Sequence, residues 1–199
     1  MHLIRYGDPT PTEIDVREVA DLPVFSPHDR YWLHVTGLSQ TATIEELGRA
    51  FALHPLLIED ICDTAQRPKF DEFDRGLFVL VRVVSFDPTT ERLGSDQLSI
   101  VIGENYAISF AEREWPFIAP LANRIKTPGS RLAQRGSDGL AHALLDAVVD
   151  SYFGCVEALE DATENLQRQL TERPSNGTLQ RIHALRREVL AFHKAIWPL

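Results

Sequence analysis

The first two thirds of the chain alternate short runs of β-branched and aromatic residues with segments of helical periodicity. Runs of this kind, bounded by Gly, Pro, Asn or Asp, are typical of strands. The pattern predicts strands at residues 13–19, 30–35, 77–86, 97–102 and 106–110. The last two flank a segment in which Gly103 and Asn105 tolerate the positive φ angles of a tight turn, so we expect a hairpin there.

Three helices are predicted between and after these strands. Thr43 and Glu46 are spaced as in a capping box, which satisfies free backbone N–H groups, and this helix is expected to end near residue 52. Pro55 suits the first turn of a second helix, because the N–H group that proline lacks is not needed there. A third helix is predicted near residues 115–125.

A polar segment that begins at Pro128-Gly129-Ser130 separates this part from two long helical patterns. Apolar residues spaced alternately by three and four predict one helix over residues 138–171: Leu145, Val148, Tyr152, Cys155, Leu159, Ala162 and Leu166. Residues 174–177 break the pattern, and a second series follows at Ile182, Leu185, Val189, Phe192 and Ile196. A short connection makes two such helices antiparallel neighbours.

These elements predict an α/β (α+β) fold with a mixed central sheet flanked by helices over residues 1–130, followed by a long antiparallel helical hairpin over residues 131–199. The composition agrees, because 44% hydrophobic and 25% charged residues are typical of a folded globular protein.

Charge and cysteine content narrow the function. The chain has 20 Lys and Arg against 29 Asp and Glu, a net charge of −9 that opposes nucleic-acid binding and permits divalent cations or basic partners. Two distant cysteines, Cys62 and Cys155, favour a reducing cytosolic compartment over a disulfide framework. No signal peptide or membrane span is expected, since the most apolar stretch, residues 77–86, is interrupted by Arg82 and is about half as long as a span.

The two long helices carry opposite charges on their outer faces. Acidic residues lie on the first helix at Glu157, Glu160, Asp161 and Glu164, and basic residues lie on the second at Arg181, Arg186, Arg187 and Lys194. We expect weak ion pairs within the hairpin, of about 0 to 1 kcal/mol each. The alternative is that these faces attract each other between neighbouring subunits.

Catalytic motifs are missing from the sequence: it contains no Gly-rich phosphate loop, no G-x-S-x-G, no C-x-x-C and no H-E-x-x-H. We therefore predict no enzymatic activity. His54 is expected to start the second helix and Cys62 to lie in the core, the alternative being a soft-metal site formed by both.

Carboxylates are the more informative residues. Glu59 and Asp60 are adjacent near the end of the second helix, where the helix dipole disfavours negative charge unless a cation is close. Asp146 lies beside the apolar seam of the long helix. On these residues alone, a solvated acidic face and a cation site both remain open.

Six segments, in order and at similar spacing, resemble the CorA family of divalent-cation channels. They are HPLLIEDI at 54–61, QRPKF at 66–70, DQLS at 96–99, DAVVDSYF at 146–153, ERP at 172–174 and AIWPL at 195–199. The resemblance covers the chain from about residue 32 onward.

This resemblance implies a homopentamer in which each subunit has an α/β/α cytosolic domain, a helical hairpin, a stalk helix and two membrane helices. The stalk, the membrane helices and the Gly-Met-Asn pore motif are absent here. The family's cation sites between neighbouring domains match Glu59, Asp60 and Asp146. The implied function is that of the cytoplasmic, ion-sensing domain of an inner (plasma) membrane Mg²⁺ channel, which closes when regulatory Mg²⁺ binds between subunits. Co²⁺, Ni²⁺ or Zn²⁺ are further candidate ions.

Three alternatives remain at this point. A zinc transporter of the ZntB type resembles the chain in the same domain. A free-standing cytosolic regulatory module could use the hairpin to bind a partner. A metal-dependent hydrolase would need a convergent His and carboxylate motif, which the sequence lacks.

Overall fold

A computed structural model describes residues 1–7, 10–127, 129–172 and 176–197. The described strands are β1 (His2–Tyr6), β2 (Thr12–Asp15), β3 (Arg30–Thr36), β4 (Lys69–Phe73), β5 (Gly76–Asp87), β6 (Arg92–Ile102) and β7 (Tyr106–Ala111). The helices are α1 (Thr41–Ala50), α2 (Pro55–Cys62), α3 (Ile118–Lys126), α4 (Arg131–Gln134), α5 (Ser137–Glu172) and α6 (Asn176–Ile196). A 3₁₀ turn, Val19–Asp21, follows β2.

The strands form one mixed sheet in the order β2-β1-β3-β7-β6-β5-β4. Among the described strands, β3 and β7 pair in parallel and every other neighbouring pair is antiparallel. The predicted hairpin between β6 and β7 is confirmed, with Ile102 opposite Ala107.

Helices cover both faces of the sheet. Alternate residues of β5 point to opposite sides, because side chains along a strand alternate. Phe78 and Leu80 pack in one core with Leu47 of α1 and Ile61 of α2. Residues of the opposite face pack in a second core with α3 and α5: Val79, Val81, Val83, Leu121, Leu140, Leu144 and Val148. The predicted central sheet between helical layers is therefore confirmed.

The long α5 helix joins the sheet to the hairpin. Its first half covers the sheet, where Tyr152 Oη donates a hydrogen bond to Arg82 O at 2.7 Å. Its second half packs on α6 through Cys155, Leu159, Ala162, Leu166, Leu185, Phe192 and Ala195. Tyr152 contacts Phe192 and Gln169 contacts Arg181, so the two helices run antiparallel as predicted.

Some boundaries differ from the predictions. Two strands, β1 and β4, were not predicted, and β2 ends at Asp15. The prediction that Thr43 and Glu46 form a capping box is wrong. Helix α1 begins at Thr41, two residues earlier, and the side chain of its N-cap residue, Gln40, makes no capping hydrogen bond. Val189 is 44% exposed and lies outside the seam between α5 and α6. The predicted break at residues 174–177 lies partly outside the described residues, and Asn176 and Gly177 already belong to α6.

By length and composition alone, α5 qualifies as a candidate membrane span, which the sequence analysis did not predict. That finding is weak, because a core helix of a soluble protein passes the same test. Leu140, Leu144 and Val148 are almost fully buried against the sheet, so the apolar character of this segment is accounted for by packing inside the domain.

Candidate functional site

The short helix α2 carries two of the three predicted acids. His54 Nδ1 accepts a hydrogen bond from the backbone N of Leu56 at 3.2 Å, and Pro55 occupies the first turn. The predicted role of His54 at the start of the helix is thus confirmed. Leu57 and Ile61 are buried beneath the helix, which leaves Glu59 and Asp60 in its last turn.

A buried glutamine on the sheet fixes the end of α2. Gln97 Nε2 donates hydrogen bonds to the carbonyl oxygens of Asp60 and Ile61, each at 3.0 Å. Just beyond the helix, Arg82 Nη1 donates to Thr64 O at 2.8 Å. The last carbonyls of a helix have no partner inside the helix, so these donors hold the acidic end of α2 against the sheet.

The two acids of α2 have different surroundings. Glu59 is exposed, and within the described part of the chain its carboxylate has no ion pair. The side chain of Asp60 is only 14% exposed and pairs with Lys69, whose Nζ also lies 3.5 Å from Asp71 Oδ2. Lys69 therefore supplies a cation to Asp60, which offsets the negative charge near the helix C-terminus.

The charge of Lys69 is well stabilised. Partial burial alone would lower its pKa, but the hydrogen bond to Asp60 and the charges of Asp60 and Asp71 outweigh burial and raise the pKa above its usual value. Lys69 is thus a permanent positive charge in contact with Asp60.

The third predicted acid lies on the other side of the sheet. Asp146 belongs to α5, is exposed, and makes no ion pair with any residue that the structure describes. Because α2 packs on one face of the sheet and α5 on the other, the sheet separates Asp146 from Glu59 and Asp60. Across the described residues, no group of three or more His, Cys, Asp and Glu side chains could hold a metal ion.

The carboxylate oxygens of Glu59, Asp60 and Asp146 are ligands of the kind that Mg²⁺ prefers. This ion prefers six oxygen ligands and keeps several waters, so exposed carboxylates suit it. Glu59 and Asp146 fit that description, and Asp60 fits it when Lys69 moves away. Within the described residues these carboxylates do not form a group that could hold the ion by itself.

The alternative soft-metal site is not assembled. His54 uses Nδ1 to cap α2, and Cys62 packs as a half-buried side chain in the core beside α1 and α2. Burial and the charge of Glu45 raise the pKa of the Cys62 thiol, which disfavours the thiolate that metals bind.

The expected ion pairs between the two long helices are absent among the described residues. Arg181 instead pairs with Glu91, at the turn between β5 and β6, and Glu188 pairs with Arg92 at 3.1 Å. The seam between α5 and α6 is formed by apolar residues rather than by ion pairs.

Lys69 and Gln97 were not among the predicted site residues. Both lie inside segments that carry the family resemblance, QRPKF and DQLS. Their roles depend on contacts with α2, which no periodicity in the sequence reveals.

Comparison with known proteins places the chain in a family of ion transporters. Residues 28–199 match the family model described as CorA-like Mg²⁺ transporter protein, so the chain belongs to that family. The Cobalt/magnesium transport protein CorA of Thermotoga maritima is 32% identical over 185 residues, which cover 93% of this chain and 52% of that protein. The chain thus spans about half the length of this curated relative.

Solved structures share the fold. The complete CorA magnesium transporter of Methanocaldococcus jannaschii superposes with a TM-score of 0.77 at 18% identity, covering 98% of this chain and 59% of that one. The ZntB cytoplasmic domain of Vibrio parahaemolyticus superposes with a TM-score of 0.60 at 14% identity, covering 100% of this chain and 75% of that one. The family comprises transporters, which agrees with the prediction that the chain is not an enzyme.

Proposed function

We propose that this chain is the cytoplasmic ion-sensing domain of a homopentameric, CorA-type Mg²⁺ channel of the plasma membrane, with Co²⁺ and Ni²⁺ as further cargo. In this proposal, Mg²⁺ binds between subunits at Glu59, Asp60 and Asp146 and stabilises the closed pore. The observation that carries the proposal is the placement of acidic groups on two opposite faces of one subunit, neither of which forms a complete cation site alone.

The surface around Asp146 supports contact with another part of the assembly. Val149, Phe153 and Val156 follow Asp146 at helical spacing and are 43%, 64% and 45% exposed. An apolar stripe on a helix of a globular protein normally packs against another surface. A partner that covered this stripe would bring its own groups to the carboxylate of Asp146.

The proposed mechanism depends on like charges that a cation holds together. When Mg²⁺ and its waters bridge carboxylates of neighbouring subunits, they neutralise the repulsion between those carboxylates and stabilise the closed assembly. When Mg²⁺ leaves, the exposed acids repel one another and favour separation of the subunits. Glu59 and Asp146 have no ion pair within the described residues, so their charges are free to act in this way.

Oxygen donors favour Mg²⁺ over Zn²⁺ as the sensed ion. The name of the Thermotoga relative includes cobalt and magnesium, whereas the likeness to the ZntB domain concerns the fold alone. Zinc sites commonly use His and Cys ligands, and among the described residues His54 and Cys62 do not form a metal-binding group of three or more ligands with the acids.

The test is protection of the full-length protein against proteolysis as Mg²⁺ is increased. We expect Asp60→Asn combined with Asp146→Asn to leave the protein folded and to raise the Mg²⁺ concentration needed for half-maximal protection. The substitutions are nearly isosteric, so a lost response reflects lost charge rather than a cavity. Asp161→Asn with Glu164→Gln is the matched control, since it removes two exposed charges from α5 away from these acids.

The outcomes separate the alternatives. Superimposable curves for the wild type and the Asp60 and Asp146 variant would refute the sensor assignment. Protection by micromolar Zn²⁺ with no response to millimolar Mg²⁺ would favour zinc transport. A protein without membrane helices that responds to neither ion would favour a free-standing regulatory module.

A further inference from the structure

Lys69 forms an ion pair with the carboxylate of Asp60, the group to which Mg²⁺ must bind in the proposed function. We propose that Lys69 is a built-in competitor of Mg²⁺ whose ammonium group must leave Asp60 before the ion binds, and that it thereby sets the concentration at which the sensor responds. This inference rests on the proposed function of Asp60.

The fold holds the ammonium group close to Asp60. Lys69 is the first residue of β4 and lies opposite Leu80 of β5 in the sheet. Its Nζ lies 5.9 Å from the centre of the buried ring of Phe78, within the range of a cation–π contact, so the ammonium group is held by Phe78 as well as by Asp60. These two contacts of Nζ favour the position in which Lys69 is paired with Asp60.

The end of α2 holds Asp60 just as firmly. Gln97 binds the carbonyl oxygens of Asp60 and Ile61, so the backbone that carries the Asp60 carboxylate is fixed and only rotation of the side chain can separate it from Lys69. Among the described residues, Lys69 is the only cation within ion-pair distance of Asp60. The competition is therefore between one lysine and the incoming ion.

A second acid offers Lys69 an alternative position. Asp71 Oδ2 lies 3.5 Å from Lys69 Nζ, and its side chain is 49% exposed. When Mg²⁺ takes Asp60, Lys69 can shift to Asp71 and keep an ion pair. The exchange moves one positive charge along β4, so the ammonium group does not remain next to Mg²⁺.

The size of the effect follows from the strength of the ion pair. A partly exposed pair contributes at most about 1 kcal/mol, which corresponds to roughly a fivefold change in a binding constant. Removing the charge of Lys69 should therefore lower the Mg²⁺ concentration for half-maximal protection by up to about fivefold. The direction is opposite to that expected for Asp60→Asn.

The test compares Lys69→Met with two controls in the full-length protein, by proteolytic half-life against the concentration of Mg²⁺ alone. Methionine keeps an unbranched aliphatic stem without the charge, and Lys69→Gln is a second variant in case Lys69→Met does not fold. Lys69→Arg keeps the charge and should stay close to the wild type. Arg67→Met removes the same charge two residues away, from an exposed side chain without an ion pair to any described residue, and should also stay close.

Each outcome has one meaning. A lower midpoint for Lys69→Met or Lys69→Gln, by up to about fivefold and with both controls unchanged, supports the proposal. An unchanged midpoint for those variants overturns it, and so does an equal shift in Arg67→Met, which would reflect net charge alone. If Asp60→Asn still raises the midpoint in those cases, the proposed function survives. A wild type without any Mg²⁺ response removes the proposed function itself.

Discussion

Gln97 provides a direct test of how the sheet positions the acidic helix end. We expect Gln97→Leu to destabilise the fold and to loosen the end of α2, because leucine has a similar volume but no donor. Gln97 is fully buried, and the two hydrogens of its Nε2 donate to Asp60 O and Ile61 O, each at 3.0 Å, with Ser99 Oγ also 3.1 Å from the nitrogen. These acceptors also fix the orientation of the amide, because the carbonyl oxygens of Asp60 and Ile61 can only accept.

The magnitude follows from the lost hydrogen bonds. Each contributes about 1 kcal/mol net, and a carbonyl left buried without a donor costs about 1 to 3 kcal/mol. Gln97 Oε1 is buried and has no hydrogen-bond partner among the described residues, so replacing it with an apolar group offsets part of this cost. We therefore expect a loss of about 2 to 3 kcal/mol, or roughly 5 to 10 °C in melting temperature for a chain of this size.

Two assays check the size and the place of the effect. Thermal melting measures the stability loss, and Gln167→Leu on the exposed face of α5 is the control, expected to shift the melting temperature by no more than about 2 °C. Hydrogen exchange locates the effect at the amide of Asp63, which donates to Glu59 O at 2.9 Å. A melting temperature within about 2 °C of the wild type, together with unchanged exchange at Asp63, would refute the role given to Gln97.

Two further predictions concern stability. Burial, partly opposed by the charge of Glu114, lowers the pKa of His34 in the folded protein to about 4. As the pH falls below about 6.5, the unfolded chain therefore binds a proton at His34 that the folded protein does not. We expect the free energy of unfolding to be highest above about pH 6.5 and to fall by up to about 3 kcal/mol as the pH drops toward 4. In urea unfolding measured at several pH values, His34→Gln should reduce the dependence of the free energy of unfolding on pH over this range. An equally steep dependence in the variant would contradict the prediction. Gly76→Ala should cost about 3 kcal/mol, because the added Cβ would lie 1.9 Å from Ile102 O. Gly154→Ala is the control, because a Cβ at this position meets nothing within 4 Å and alanine stabilises a helix by up to about 1 kcal/mol relative to glycine. Equal melting temperatures for the two variants would refute the steric argument.

Sequence reasoning succeeded where one physical pattern dominates a long segment. The spacing of Val148, Cys155, Leu159 and Leu166 predicts α5 because one face of that helix is buried along most of its length. Pro55 and His54 mark the start of α2 because their effects are local. Four of the five predicted strands, β3, β5, β6 and β7, have apolar runs and lie between the two edge strands of the sheet.

The missed strands lack such a pattern. β4 reads KFDEF, and its residues are half-buried or exposed because it lies at one edge of the sheet and pairs only with β5. β1 has only five residues. Edge strands and short terminal strands are held by pairing with their neighbours, and that information lies elsewhere in the chain.

Lys69 shows the same limit at the candidate site. The sequence indicates that Glu59 and Asp60 need a cation, and the family resemblance suggests that a metal ion supplies it. The structure places Lys69 next to Asp60 because the turn after α2 leads directly into β4. A charge pattern can therefore predict that a partner is needed, while the identity of that partner depends on the path of the chain.

The proposed sensor must respond to millimolar Mg²⁺ and still close the channel sharply, and weak sites meet both needs only in combination. At a Mg²⁺ concentration ten times the Kd, one site stabilises the closed state by about 1.4 kcal/mol. Five equivalent sites in a pentamer would contribute about 7 kcal/mol, more than the roughly 5.5 kcal/mol that moves an equilibrium from 1:99 to 99:1. Competition from Lys69 would weaken every site equally, so it would shift the working concentration upward without reducing the number of sites that act together. An ion pair within each subunit is therefore a suitable place to adjust the response, because its effect is repeated around the ring.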